Sequence, residues 1–254
     1  MLALERYNIL GLNVAPLGTN EILDYIHESI EGNKNIVISS GNVYSLNLSY
    51  ENKWLRDFLN KTEIVRIDGQ GLIVAAKFLH KVRFPKRSTW ADFGWELFEF
   101  TEQNRYSMFF LGAKEGIADL ASRKVKNKYP DINIKGTFNG YFDKNSSSES
   151  KIVIDKINSM NIDILIIGFG MPIQEKWLVK YRHLINVPVV MTGGAVFDYI
   201  SETLSRGPKF LTNNGFEWLA RFIIDPKRLW KRYLFGNLLF IIRLIFQKFN
   251  IIKR

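Results

Sequence analysis

The chain alternates short apolar runs with longer stretches of helical character. The runs Ile36–Ser39, Glu63–Ile67, Met108–Leu111, Ile132–Thr137, Ile162–Gly168 and Pro188–Thr192 are rich in Val, Ile and Phe, and Gly, Ser or Asp closes most of them. Strands of a parallel sheet, covered on both faces, read this way rather than as strict alternation. Between them, segments such as Gly116–Tyr129 and Ser146–Met160 read as helices. Strand, helix, strand at this spacing predicts an α/β fold with a parallel sheet flanked by helices. Lys144–Ser150 reads as a solvated polar connection whose serines can cap the helix that follows.

The pattern changes after Gly207-Pro208. Gly215 to Asp225 reads as one helix and Pro226 to about Asn250 as another, with Pro226 in the first turn, where a missing N–H costs nothing. The expected organisation is an α/β catalytic core over 1–205 and a helical basic C-terminal appendage over 206–254. No signal peptide is expected from the first residues. The longest apolar run, Leu234 to Phe246, is too short to span a bilayer and contains Arg243.

Composition sharpens this picture in two places. The chain has no cysteine, which excludes disulfides, thiolate metal sites and thiol nucleophiles, and its three histidines lie far apart in sequence. The net charge is +10, yet residues 206–254 hold 11 Lys/Arg against two acids and so carry +9 of it. The basic character therefore belongs to the tail.

Ligands of parallel α/β sheets bind at the carboxyl ends of the strands. Four such ends carry polar and glycine residues here: Ser39-Ser40-Gly41-Asn42, Asp68-Gly69-Gln70-Gly71, Gly112-Ala113-Lys114-Glu115-Gly116 and Gly168-Phe169-Gly170-Met171-Pro172-Ile173-Gln174-Glu175. Glycines there allow close backbone approach, and a following helix offers N–H groups to phosphate, so a nucleotide diphosphate is the expected ligand. Tight turns between strand and helix need the same glycines. Neither a G-x-G-x-x-G fingerprint nor a phosphate-binding G-x-x-x-x-G-K-[ST] loop is present.

Asp68 follows an apolar strand and precedes a glycine, which suits a general base at the sheet rim and equally suits a helix cap. Asp92 and Asp198 read first as caps or structural hydrogen-bonding groups. No D-x-D or D-x-x-D pair supports a metal site, and none is expected. In the tail, Arg221, Arg228, Lys231 and Arg232 fall at spacings that share largely one helical face, a clamp for a diphosphate. The apolar run from Leu238 to Phe246 adds a surface suited to an anionic membrane rather than to nucleic acid.

These residues together resemble the WecG/TagA/CpsF glycosyltransferase family, glycosyltransferase family 26. The resemblance runs from about Asn8 to Phe246 and is carried by Ile164–Trp177 (ILIIGFGMPIQEKW), by Phe110–Tyr141 and by Arg206–Asn237, with Asp68-Gly69 and Thr89-x-x-Asp92 in support. It implies a Rossmann-like fold and an inverting, metal-independent transfer. The donor would be a UDP-sugar carrying N-acetylmannosamine, its uronic acid or a hexose such as glucose. The acceptor would be an undecaprenyl-diphosphate-linked sugar, at the cytoplasmic face of the bacterial inner membrane. It implies that Asp68 is the catalytic base, that Ser40 and Asn42 help hold substrate, and that Gln174 contacts the donor. It also implies that Arg221, Arg228, Lys231 and Arg232 reach the diphosphate. Thr89, Asp92, Gly112, Gly168 and Gly170 complete the expected binding set. Ile173, where Lys is frequent, and Trp90, where Gly is frequent, depart from the pattern and bear on the identity of the donor sugar.

Two other readings share parts of this pattern. A nucleotide-dependent oxidoreductase would use the same strand–glycine–helix layout but should carry the missing fingerprint. A non-enzymatic peripheral membrane protein would explain the tail but not the polar strand ends. A homo-oligomer, paired or trimeric, is compatible with Rossmann-like subunits.

Overall fold

The computed structural model describes residues 4–213 and 215–251; the side chains of residues 209, 213 and 228 are outside that description. The strands are β1 (Tyr7–Ile9), β2 (Leu12–Val14), β3 (Ile36–Gly41), β4 (Ile64–Ile67), β5 (Ser107–Gly112), β6 (Asn133–Phe138), β7 (Ile164–Gly168) and β8 (Val189–Thr192). The helices are α1 (Thr19–Glu31), α2 (Val43–Glu51), α3 (Lys53–Lys61), α4 (Gln70–His80), α5 (Trp90–Gln103), α6 (Ile117–Lys128), α7 (Ser147–Ser159), α8 (Ile173–Tyr181), α9 (Val196–Ile200), α10 (Lys209–Asn213), α11 (Glu217–Ile224), α12 (Pro226–Trp230) and α13 (Gly236–Lys248). Six strands form one sheet in the order β4-β3-β8-β7-β5-β6, as the apolar runs predict for an α/β fold. The pairings of β3 with β8, β8 with β7, β7 with β5, and β5 with β6 are all parallel.

The chain divides into two compact units. One comprises residues 19–39 and 90–204. Its centre is the fully buried run Ile164–Ile167 beside Met108–Leu111 and Val189–Met191. Phe110 packs with its ring centroid 5.0 Å from Phe197 and 5.8 Å from Phe98, so the sheet is sealed by aromatics from α9 and α5. Helix α7 begins where the polar connection ends, because the Ser146 hydroxyl accepts the N–H of Glu149.

The other unit comprises residues 1–18, 40–89 and 205–254. It opens with an antiparallel hairpin, β1 against β2, which the sequence reading did not anticipate. Leu10 and Gly11 both take positive φ (52° and 88°) at its two-residue turn, the geometry that lets so short a connection follow the twist of the strands. Helix α13 is tied into this unit at several points. Gln247 Nε2 donates to the Asn8 carbonyl at 3.0 Å and its Oε1 accepts the Leu10 N–H at 2.8 Å. Arg243, which interrupts the apolar run in sequence, turns inward: it is 9% exposed, donates to Asn47 Oδ1 at 2.9 Å and pairs with Glu51 at 2.5 Å.

The second predicted tail helix is continuous from Pro226, with a π-helical turn over Lys231–Phe235 before α13. Among the described residues, no helix is long and apolar enough to cross a membrane.

Candidate active site

In the unit formed by residues 1–18, 40–89 and 205–254 the polar groups gather around the end of β4. Successive strand residues point to opposite faces, so Arg66 and Asp68 share one face. Arg66 is 1% exposed within an otherwise apolar strand. Its Nη2 donates to the Ser40 hydroxyl at 2.8 Å and lies 4.0 Å from Asp68 Oδ2. Burial pulls the guanidinium down to about 10, and the Asp68 carboxylate acts against that fall. It remains charged at neutral pH. The Asp68 backbone is fixed by its N–H bonding the Gly41 carbonyl at 2.9 Å. Asp68 is not the cap of α4, a position held by Gly69 without any side-chain capping bond. Its carboxylate is partly exposed and available for chemistry at the rim.

Ser40 is buried, and Asn42 caps α2 through a reciprocal pair: its Oδ1 accepts the Ser45 N–H while the Ser45 hydroxyl accepts the Asn42 N–H. Thr89 is buried, and its hydroxyl accepts from Arg206 at 3.5 Å. Arg206 in turn lies 3.8 Å from Glu217 Oε2, at the start of α11. Burial pushes the Glu217 carboxyl up; the charge of Asp68 pushes it further, and Arg206, Arg221 and Arg87 oppose both. The rim thus joins Asp68 and Arg221, expected from sequence, to Arg66, Arg87, Arg206 and Glu217, which the sequence reading missed. Arg66 had a signal, a charge inside an apolar strand two residues before Asp68. Glu217 had none, since its approach to Asp68 spans most of the chain.

The expectation that four tail cations share one helical face is corrected. Asp225 leaves the helical region at φ −136°, ψ 67°, so α11 ends there and helical spacing does not carry across the break. Arg221 belongs to α11, Arg228 to α12, and Lys231 and Arg232 to the π-helical turn. The Arg232 guanidinium stacks 4.0 Å over Tyr44, whereas exposed Lys231 lies 5.5 Å over Trp230. The side chain of Arg228 falls outside the described residues.

In the other unit the strand ends meet through glycine. Gly112 has φ 150°, and a Cβ there would lie 2.5 Å from the Gly168 carbonyl oxygen. A Cβ on Gly168 would come within 2.9 Å of Phe197. Both glycines are therefore demanded by packing. Gly170, at φ 81°, faces open space instead. The first N–H groups of α8 do not point to a ligand as the sequence reading proposed: those of Ile173 and Gln174 bond the Gly170 carbonyl at 3.0 and 3.2 Å.

Gln174 is 2% exposed, its Oε1 accepting the Gly194 N–H at 3.1 Å and its Nε2 donating to Glu175 Oε1 at 2.8 Å. Glu175 is wholly buried with Oε2 lacking a hydrogen-bond partner, and burial pushes its carboxyl up to about 7. Lys144, read from sequence as part of a solvated loop, is instead partly buried. Its Nζ sits 4.6 Å over the Phe142 ring and 4.5 Å over Phe169, and donates to the Gly140 carbonyl. Burial lowers its pKa. Asp92 is exposed in the first turn of α5. Among the described residues, no three His, Asp or Glu side chains gather as a metal site.

Comparison with known proteins gives consistent results. The profile of the Glycosyl transferase WecG/TagA/CpsF family matches residues 7–254. The N-acetylglucosaminyldiphosphoundecaprenol N-acetyl-beta-D-mannosaminyltransferase of Bacillus subtilis (strain 168) is 28% identical over 213 residues, 84% of this chain and 80% of its own. Its namesake in Bacillus spizizenii is 30% identical over 69% of this chain and 66% of its own. The Staphylococcus aureus (strain NCTC 8325) protein of the same name is 23% identical over 78% and 76%.

Proposed function

Because the chain belongs to the WecG/TagA/CpsF family, and so is a glycosyltransferase, we propose that it moves N-acetylmannosamine from a UDP donor to a GlcNAc linked through diphosphate to undecaprenol. The acceptor follows the names of the relatives, and transfer of a uronic acid or a hexose is the alternative within the same chemistry. The reading rests most on Asp68, a rim carboxylate that no helix cap consumes, backed by a buried arginine.

In the proposed reaction Asp68 takes the proton of an acceptor hydroxyl. The oxygen attacks the anomeric carbon as the bond to UDP breaks, and UDP leaves with the bonding pair. Direct displacement inverts the anomeric centre. Arg206, Arg221 and Arg87 supply positive charge for diphosphate oxygens, the task for which guanidinium geometry is suited. In this proposal they take the place of a metal ion.

We further propose that the enzyme works at an anionic membrane as a peripheral protein. Leu238, Ile241, Ile242 and Ile245 on α13 are exposed, as are Val74 and Phe78 on α4, within a strongly basic unit. Lys248 donates to the Leu79 carbonyl at 2.9 Å, fastening the two helices together. An apolar surface set among cations binds in the plane of such a membrane.

A donor screen tests the transferase reading. Protein is incubated with a lipid-diphosphate-GlcNAc analogue and a panel of UDP-sugars, and UDP release is followed with product mass. Release with UDP-N-acetylmannosamine and the matching mass gain is expected. Turnover with a different UDP-sugar alone would reassign the donor. Silence across the panel in folded protein with a liposome surface, together with no UDP binding by calorimetry, would refute the donor class.

A further inference from the structure

We propose that Arg66 is a positioning residue for the catalytic base, one nitrogen hydrogen-bonded to the Ser40 hydroxyl and ion-paired at 4.0 Å with the Asp68 carboxylate. The inference rests on the assignment of Asp68 as base.

Strands β3, β5, β7 and β8 contain no charged residue, as buried parallel strands require. Strand β4 places a guanidinium at 1% exposure. Burying a charge is costly, and an apolar side chain of similar volume often serves stability as well or better. The partners of Arg66 indicate what the charge is for. Its Nη2 reaches Ser40 at 2.8 Å and stands 4.0 Å from Asp68 Oδ2, so two groups expected in the site converge on it. Asp68 has its backbone pinned to Gly41, one residue beyond Ser40, so base, hydroxyl and guanidinium form one rigid set.

Arg66 is buried at 1% exposure while the Asp68 carboxylate is partly exposed, so the guanidinium is placed to orient and compensate the base rather than to meet a ligand from solvent. Charged groups that act on Asp68 include Arg66 from β4 and Glu217 from α11. Glu217 is itself surrounded by Arg206, Arg221 and Arg87. Arg66 and Glu217 act on the base with opposite sign.

The test is the pH profile of kcat/KM for the full chain and for Arg66→Met, Arg66→Gln, Arg66→Lys, Glu217→Gln and Asp68→Asn, each checked for native near-ultraviolet circular dichroism. In whichever neutral variant folds, the acidic limb should move to higher pH, the direction expected on losing an opposite charge. The loss of rate should fall on kcat, with donor KM changed less than threefold. Arg66→Lys should restore the limb, and Glu217→Gln should move it to lower pH. An unshifted limb in a folded neutral variant would overturn the proposal while leaving Asp68 as base. Failure of both neutral variants to fold, with Arg66→Lys also folded but inactive, would make Arg66 structural and overturn it too. Substantial activity in Asp68→Asn would overturn the base assignment and this inference together.

Discussion

The two strand-end regions are built from opposite materials. Around the end of β4 the side chains are charged: Asp68 and Glu217 among Arg66, Arg87, Arg206 and Arg221. Around the ends of β5 and β7 the strands close through Gly112 and Gly168, and the neighbouring walls are Phe142, Phe169 and Trp177, with Lys144 stacked against two of the rings. In the proposed reaction the first region moves a proton and compensates phosphate charge. The second is equipped to present backbone and flat apolar surface. Charge at the first is shared among several residues, whereas at the second the buried carboxyl of Glu175 accepts from the neutral amide of Gln174 and is pushed up to about 7 by burial. The contrast teaches that substitutions in the two regions should fail differently, in rate at the first and in stability or ligand affinity at the second.

The sharpest division is expected from Asp68→Asn. Loss of a general base costs about a thousandfold in rate, and UDP affinity measured by calorimetry should stay within twofold. Retention of a tenth of the parent rate would remove Asp68 from the base role. Ending the chain after Asp225 should come next in size, releasing the protein from anionic vesicles in a flotation assay and depressing activity with lipid-linked acceptor. Vesicle binding that survived the cut would shift the anchor to α4.

The third test belongs to the glycine-lined region. A carboxyl raised from 4.5 to about 7 by burial binds its proton more tightly when folded. Stability should therefore fall as pH climbs from about 4.5 to about 7 and level off above, the unfolded chain holding fewer protons across that window. Glu175→Gln should flatten this dependence and raise the melting temperature at pH 8 by about 2–4 °C. A melting curve with the parent's pH dependence would show that Glu175 does not titrate there. The smallest effect is expected from Lys144→Met, about 1 kcal/mol of stability from the lost ring contacts. If UDP affinity also fell tenfold, Lys144 would be a ligand contact rather than a packed cation.

The strands were legible in the sequence because burial on both faces writes a continuous apolar run, and each of the six runs became a strand of the sheet. The hairpin at Tyr7–Val14 was not, since three-residue strands are too short to establish a period; its one local sign was the Leu10-Gly11 turn. Asp68 was legible as a rim residue, but whether it capped α4 depended on backbone geometry that spacing does not encode. Lys144 was misread because its polar neighbours suggest solvent, while the rings that cover it come from positions 142 and 169. The arginine cluster around Glu217 draws on segments near residues 87, 206 and 221, and no local pattern records such a meeting.

The stitching of α13 to the first hairpin has a consequence for biosynthesis. Gln247 bonds Asn8 across 239 positions, and Arg243 bonds Asn47 across 196. Neither contact can form while the intervening chain is still being translated. At elongation speeds of about 5–20 residues per second, the early segments of this unit wait some tens of seconds for their last partner. Throughout that interval the surfaces that α13 will cover, including the wall at Gly71 that receives Phe240, stand open to water. A ribosome stalled before residue 240 would therefore leave a nascent chain with a ready target for chaperones.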